Sequence, residues 1–257
     1  MKKPYIRKYT QITDFTVWIV DGNYIRRHID KQFTNFGQYH RFNYIPDHEF
    51  WIDREYSGDE SLFFISHMLV EHRLMAQGKS FDEAFEKADL VERSERKKSR
   101  LFRSVSKIKK ISVLINKIHK RLIKKYSQGK LKVWMVDGEL VRDLFYIDFT
   151  EGGHDKVYKF IPENEVWIDD DLSPSERKYV LLHELYERNL MCIGWPYYVD
   201  VKESLDTRGN LLKTAHGAAS ALEYHFRHNP KDIEKRLLEE VKKSNNFYLH
   251  FKPENKD

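Results

Sequence analysis

Cysteine is almost missing from this chain: Cys192 is the only one in 257 residues. A lone thiol excludes an internal disulfide framework and any zinc cage built from several cysteines, and it fits a reducing compartment. Long apolar runs are missing as well. No stretch approaches the roughly eighteen apolar residues that mark a membrane-spanning helix. The opening "MKKPYIRKYTQITDF" has basic residues with no apolar run behind them, unlike a signal peptide. The expectation is a soluble, cytoplasmic protein without a membrane partner. No Ser-His-Asp or Cys-His arrangement is legible, and "EGG" is too short to cradle a phosphate. With 40% hydrophobic and 14% aromatic residues the composition is globular, and the length suits one large domain or two small ones.

Acidic residues are missing from one segment. Arg96 to Lys132 holds fifteen Lys and Arg and no Asp or Glu, which leaves 30 basic against 40 acidic residues elsewhere. The net charge of +5 therefore conceals a basic segment embedded in an acidic protein. Within it Leu101, Val105, Ile108, Ile111, Ile115, Ile118 and Leu122 recur at helical spacing, which predicts a long connecting helix over 99–131. Clustered Lys and Arg can bind phosphates, so nucleic acid is a candidate partner. The apolar stripe and the scarcity of aromatics argue for a solvated face that attracts the acidic remainder.

What the sequence does contain is a repeat. Shifting the chain by 116 residues lays 17–78 on 133–194 without a gap, with 23 identities in 62 positions. "VWIVDG" falls on "VWMVDG", "YIPDHEFWID" on "FIPENEVWID", and "SHMLVEHRLMAQG" on "LHELYERNLMCIG". Self-similarity at one offset is the mark of duplicated structural units. Each unit reads as a β-meander: short β-type runs around Asp21-Gly22 or Asp137-Gly138, a pair common in hairpin turns, then "KVYKFI" and "EVWID" across Pro162-Glu163-Asn164. Capping-box letters follow, Ser57 with Glu60 and Ser173 with Glu176, and each opens an amphipathic helix ending at Gly78 or Gly194. A second helix is expected near Phe81–Lys98 and near Leu211–His228, the latter after about eleven extra residues around "WPYYVDVKESLDTRGN". The predicted fold is α+β: two tandem repeats, each an antiparallel meander followed by two helices, joined by the basic helix. The expected division is a tail at 1–15, repeats at 16–98 and 132–230, the connector at 99–131, and a last helix and tail at 231–257. "NFYLHF" near the end reads as a strand. The repeats could pack on each other as a pseudo-dimer.

One helix carries chemistry. In "HELYE", His183 and Glu187 are four residues apart and share a helix face, so both can reach one ion. His216 in "KTAHGAAS" is the candidate third ligand, and Glu223 could be a ligand or hold a ligand imidazole. His154 in "EGGHDK" could reach the site as a fourth ligand or a transition-state donor. These residues resemble the HExxH helix of zincin-like metallopeptidases, with Glu187 standing where that family has its second His. The resemblance covers this helix and a downstream ligand helix. It implies a single zinc held by His183, Glu187 and His216. It also implies that Glu184 takes a proton from a metal-activated water, and that a peptide or similar amide is hydrolysed. A carboxylate ligand also leaves room for iron or manganese. At the 116 offset Glu184 becomes Met68 and His154 becomes Gln38, while "AH" at Ala215-His216 is matched to "AD" at Ala88-Asp89. The first repeat therefore reads as a degenerate copy that keeps His67 and Glu71. The alternative function is a non-enzymatic, nucleic-acid-associated protein that binds through 96–132, with any metal only structural.

Overall fold

The computed structural model describes residues 4–56, 58, 60–198 and 213–250. The chain divides into two compact units. Unit 1 is Met1–Ile118 with Asp137–Thr150, and unit 2 is His119–Val136 with Glu151–Asp257. Each is mixed α/β.

In unit 1, β1 (Tyr5–Ile12), β2 (Phe15–Val20), β3 (Phe36–Gln38) and β4 (Glu49–Asp53) form a sheet of order β1-β2-β4-β3. Strands β2 and β4 run parallel, and the other neighbours are antiparallel. A parallel pair needs a crossover, and α1 (Gly22–His28) lies within it. Helices α2 (Ser61–Ala76), α3 (Phe81–Arg96), α4 (Arg100–Val105) and α5 (Ile111–Ile118) follow. Unit 2 has β5 (His119–Leu122), β6 (Lys132–Val136), β7 (Gly152–His154) and β8 (Glu165–Asp169), in the order β5-β6-β8-β7. Again the central pair is parallel, with Trp134 opposite Trp167 as Trp18 is opposite Trp51. The short α6 (Gly138–Leu144) is chain-continuous with β6 but packs with unit 1. Helices α7 (Glu176–Cys192), α8 (Ala215–His228) and α9 (Ile233–His250) complete unit 2.

Several expectations are corrected. The sheets are mixed, not antiparallel meanders, because the Asp-Gly pairs cap helices and do not turn hairpins. The Asp21 and Asp137 carboxylates accept the backbone N–H groups of Tyr24 and Leu140, which is N-cap chemistry. Gly22 is required by close approach: a Cβ there would lie 1.8 Å from Asp53 Oδ2. "LVRDLF" is therefore largely helical, and of the expected second hairpin only "EVWID" is a strand: "KVYKFI" is loop, and Glu165–Asp169 instead pairs antiparallel with Gly152–His154. Residues 5–12, expected in a tail, form a full strand. No long basic helix exists: the segment breaks into α4, α5 and β5, because His119–Leu122 gains a backbone ladder against β6. The start of "NFYLHF" continues α9 to His250. Ser57, the "VKESLDTRGN" insertion and the final residues lie outside the described residues. Gly78 and Gly194 do end their helices, with φ of +83° and +92°. The N–H groups of Lys79 and Trp195 reach back to the carbonyls of Leu74 and Leu190, closing Schellman-type ends. Among the described residues no helix is long and apolar enough to cross a membrane.

Candidate metal centre

Three elements of unit 2 converge on one point. Helix α7 contributes His183, Glu184 and Glu187, α8 contributes His216, Glu223 and Arg227, and edge strand β7 contributes His154. The α7 helix is anchored by the buried side chains of Leu181, Leu182 and Leu185. That burial leaves the His183 and Glu187 face turned toward α8. Glu187 Oε2 lies 3.3 Å from His183 Nε2 and 2.9 Å from His216 Nδ1, and the two nitrogens are 3.3 Å apart. Ligand atoms of a tetrahedral zinc at ~2.0–2.1 Å stand about 3.3–3.4 Å from one another. The triangle of two imidazole nitrogens and one carboxylate oxygen therefore fits such an ion and leaves a fourth position. His216 is 40% exposed while Glu187 is 3% exposed, so the triangle opens to solvent on the α8 side.

A second layer orients these groups. Glu223 Oε2 accepts from His183 Nδ1 at 2.8 Å, which turns Nε2 into the cluster, an arrangement common behind metal-ligating histidines. Arg227 Nε donates to Glu223 Oε1 at 2.7 Å, and the same guanidinium pairs with the fully buried Glu176. Glu176 is thus more than the capping residue its sequence context suggested. Its backbone N–H donates to Ser173 Oγ at 3.4 Å, but its carboxylate is committed to Arg227. Burial alone would raise the Glu223 carboxyl, yet His183 and Arg227 bring it down to about 2. Burial would likewise favour a neutral His183, but Glu187 and Glu223 raise its pKa well above the ordinary value.

His154 is buried behind Glu187. Its Nδ1 accepts the backbone N–H of Lys156 at 3.2 Å, so its Nε2–H donates to Glu187 Oε1 at 2.9 Å. Both ring nitrogens are occupied, and His154 holds Glu187 here; the sequence offered it as a fourth ligand or a transition-state donor. Glu184 is half-buried beside the cluster, and burial followed by the charge of Glu187 pushes its carboxyl up to about 8. Gly152 on β7 makes room for it: a Cβ there would lie 2.9 Å from Val180 Cγ1 and 3.2 Å from Glu184 Cγ. Gly152, Glu176 and Arg227 were not recognised in the sequence as parts of the site.

Unit 1 holds the same polar skeleton. His67 Nδ1 meets Glu92 at 2.9 Å, His67 Nε2 meets Glu71 at 3.3 Å, and Arg96 Nε bonds Glu92 at 2.8 Å and also pairs with Glu60. Glu92 and Arg96 lie 131 residues before Glu223 and Arg227. That offset corrects the pairing of Ala215-His216 with Ala88-Asp89: the counterparts are Ala84-Phe85. The Phe85 ring sits 5.2 Å from His67, edge-on, as the His216 ring sits 5.0 Å from His183. Gln38 Nε2 donates to Glu71 at 2.5 Å, doing for Glu71 what His154 does for Glu187. No protein-family description, curated protein or solved structure matches the chain, and the resemblance to zincins rests on the residues above.

Proposed function

We propose that unit 2 is a single-metal hydrolase of peptide or similar amide bonds. On this reading unit 1 is a duplicated copy that kept the fold and lost the chemistry. The observation that carries this is the triangle of His183 Nε2, Glu187 Oε2 and His216 Nδ1, with sides of 2.9–3.3 Å, next to the half-buried Glu184. Those three residues would hold zinc, with iron or manganese as substitutes of similar donor taste. The ion would polarise the scissile carbonyl and lower the pKa of a water to about 7.

The protein's own groups do the rest. Glu184, carrying no direct ligand duty, would accept the proton of the attacking water and return it to the leaving amine, its carboxyl brought down from about 8 by a cation that offsets the Glu187 charge. His154 fixes the rotamer of Glu187 by holding its second oxygen, and Glu223 fixes the tautomer of His183. Arg227, itself held by Glu176, keeps Glu223 charged. Tyr197, whose ring lies 5.4 Å from that of His216, flanks the open side where a substrate would enter. The competing nucleic-acid reading places binding on 96–132, a segment that the fold divides among α4, α5 and β5, with Arg96 buried in ion pairs.

The test is zinc content and amide hydrolysis of the full chain against His183→Ala. Turnover of a generic peptide library, and one equivalent of zinc that depends on His183, are expected in the unmodified chain, and both are lost in the variant. Zinc that binds at His183 without any hydrolysis across such a library would reduce the site to a structural one.

A further inference from the structure

We propose that His40, His72 and Asp47 in unit 1 form a second zinc site, one that fastens the loop between β3 and β4 to helix α2. It is independent of the hydrolase reading. His72 lies on α2, while His40 and Asp47 lie in the loop that follows β3. The His40 and His72 rings are 4.5 Å apart and tilted by 53°. His72 Nε2 is 3.3 Å from Asp47 Oδ1, and one ligand atom from each of the three residues falls within 4.8 Å of the others. Two imidazoles and a carboxylate are a zinc donor set.

The second observation is an orphan. His40 Nε2 is shut off from solvent and has no hydrogen-bond partner among the described residues. A buried imidazole nitrogen without a partner is unfavourable, and a cation shared with His72 would engage it. The His40 backbone is already fixed, its N–H donating to Gln38 Oε1 at 2.8 Å, so the ring is presented on an anchored stretch of chain.

The equivalent place in unit 2 explains what the site would be for. There the residue 116 positions beyond His72 is Arg188, which bonds Asp155 Oδ1 at 2.6 Å and Asn164 Oδ1 at 3.3 Å. That ion pair ties the corresponding loop to α7. In unit 1 the counterparts of Asp155 and Asn164 are Tyr39 and His48, so neither half of the Arg–Asp pair is present. The same loop-to-helix connection is rebuilt from imidazoles, and a cation bridging them restores the tie. Asp47 is 55% exposed, so the site is reachable by chelators.

The experiment uses the full-length chain carrying His183→Ala, dialysed against micromolar free zinc, with metal content and cobalt(II) absorption as readouts. One equivalent of zinc should remain. Its affinity should fall about tenfold or more on adding His72→Asn, and measurably on adding the surface change Asp47→Asn. Far-UV circular dichroism identifies any variant that has not folded, and Asp47→Asn, on an exposed side chain, keeps the test open if His72→Asn fails. Absence of zinc from the folded His183→Ala protein overturns the proposal, and so does zinc affinity that neither second change alters. Failure of the hydrolase reading looks different: the unmodified chain would then hold zinc that His72→Asn removes and His183→Ala does not.

Discussion

His67 in unit 1 and His183 in unit 2 make the same bonds, and only one of them has a second imidazole beside it. Each ring is gripped by a carboxylate one turn along its own helix and by another on the next helix, and in both units a buried Arg–Glu pair backs the second carboxylate. What differs is the layer laid over this skeleton. In unit 1 it is Phe36, Phe64, Met68 and Phe85, with Phe36 stacked on Phe64 at 4.7 Å and edge-on to His67 at 5.1 Å. In unit 2 the same four positions hold Gly152, Val180, Glu184 and His216. The polar skeleton is therefore a packing device, since a buried network with its partners in place specifies one arrangement of helices. On the proposed reading the chemistry lives in the covering layer, where apolar bulk gives way to a glycine, a candidate base and a candidate ligand.

The sharpest way to break the comparison is to give unit 2 a letter of unit 1. Glu184→Met should reduce amide hydrolysis by about 10²–10⁴-fold, the usual share of a general base. Zinc content should stay near that of the unmodified chain, because Glu184 lies outside the ligand triangle. A variant that loses zinc and activity together would move Glu184 into the ligand set.

The comparison also marks what the sequence could reveal. His183, Glu187 and Glu223 were legible because helical spacing alone puts them on facing surfaces, and the 116-residue offset pointed to Glu184 by contrast with Met68. His216 was legible as a member of the cluster but not in its pairing, because the extra residues before α8 break the offset, and only the shared Glu-x-x-x-Arg of Glu92-Arg96 and Glu223-Arg227 restores it. The mixed sheet was not legible: Asp-Gly serves a hairpin turn and a helix N-cap equally well, and the strand direction depends on which neighbour β2 and β6 find. Gly152 gave no signal by itself. Its role appears only once β7 lies against α7 and Phe36 is seen in the matching place.

A smaller effect tests whether the second layer does different work in the two units. Glu223→Gln should weaken zinc binding about 10–100-fold, because an amide orients His183 but no longer supports it with charge. Glu92→Gln in unit 1 should leave zinc at His183 untouched and instead lower stability, by about 3 kcal/mol if the buried Arg96 is left poorly compensated. Zinc titration of each variant, paired with urea denaturation, separates the outcomes. Equal effects on zinc affinity from both changes would mean that the first unit still serves the metal.

The smallest effect is the pH dependence contributed by the unit without a second imidazole. Burial would lower the pKa of His67, but its bonds to Glu71 and Glu92 win and raise it to about 9. A raised folded-state pKa means that the folded chain binds the proton more tightly than the unfolded chain, whose histidines titrate near ~6.5. The stabilisation is therefore complete below the unfolded value and disappears as pH climbs through about 9. Asp89, whose Oδ1 is 3.6 Å from His67 Nδ1, has its own carboxyl raised to about 7, chiefly by burial and by Asp148. Its contribution is likewise present at low pH, but it is lost earlier, as pH rises through about 7. Melting curves between pH 4 and 10 should thus decline in two steps, over about pH 4–7 for Asp89 and about pH 6.5–9 for His67. Asp89→Asn should erase the lower step and leave the upper, and His67→Gln should erase the upper, each shifting the melting temperature by about 2–8 °C. An upper step that survives His67→Gln would place that titration elsewhere and leave His67 as a neutral packing residue.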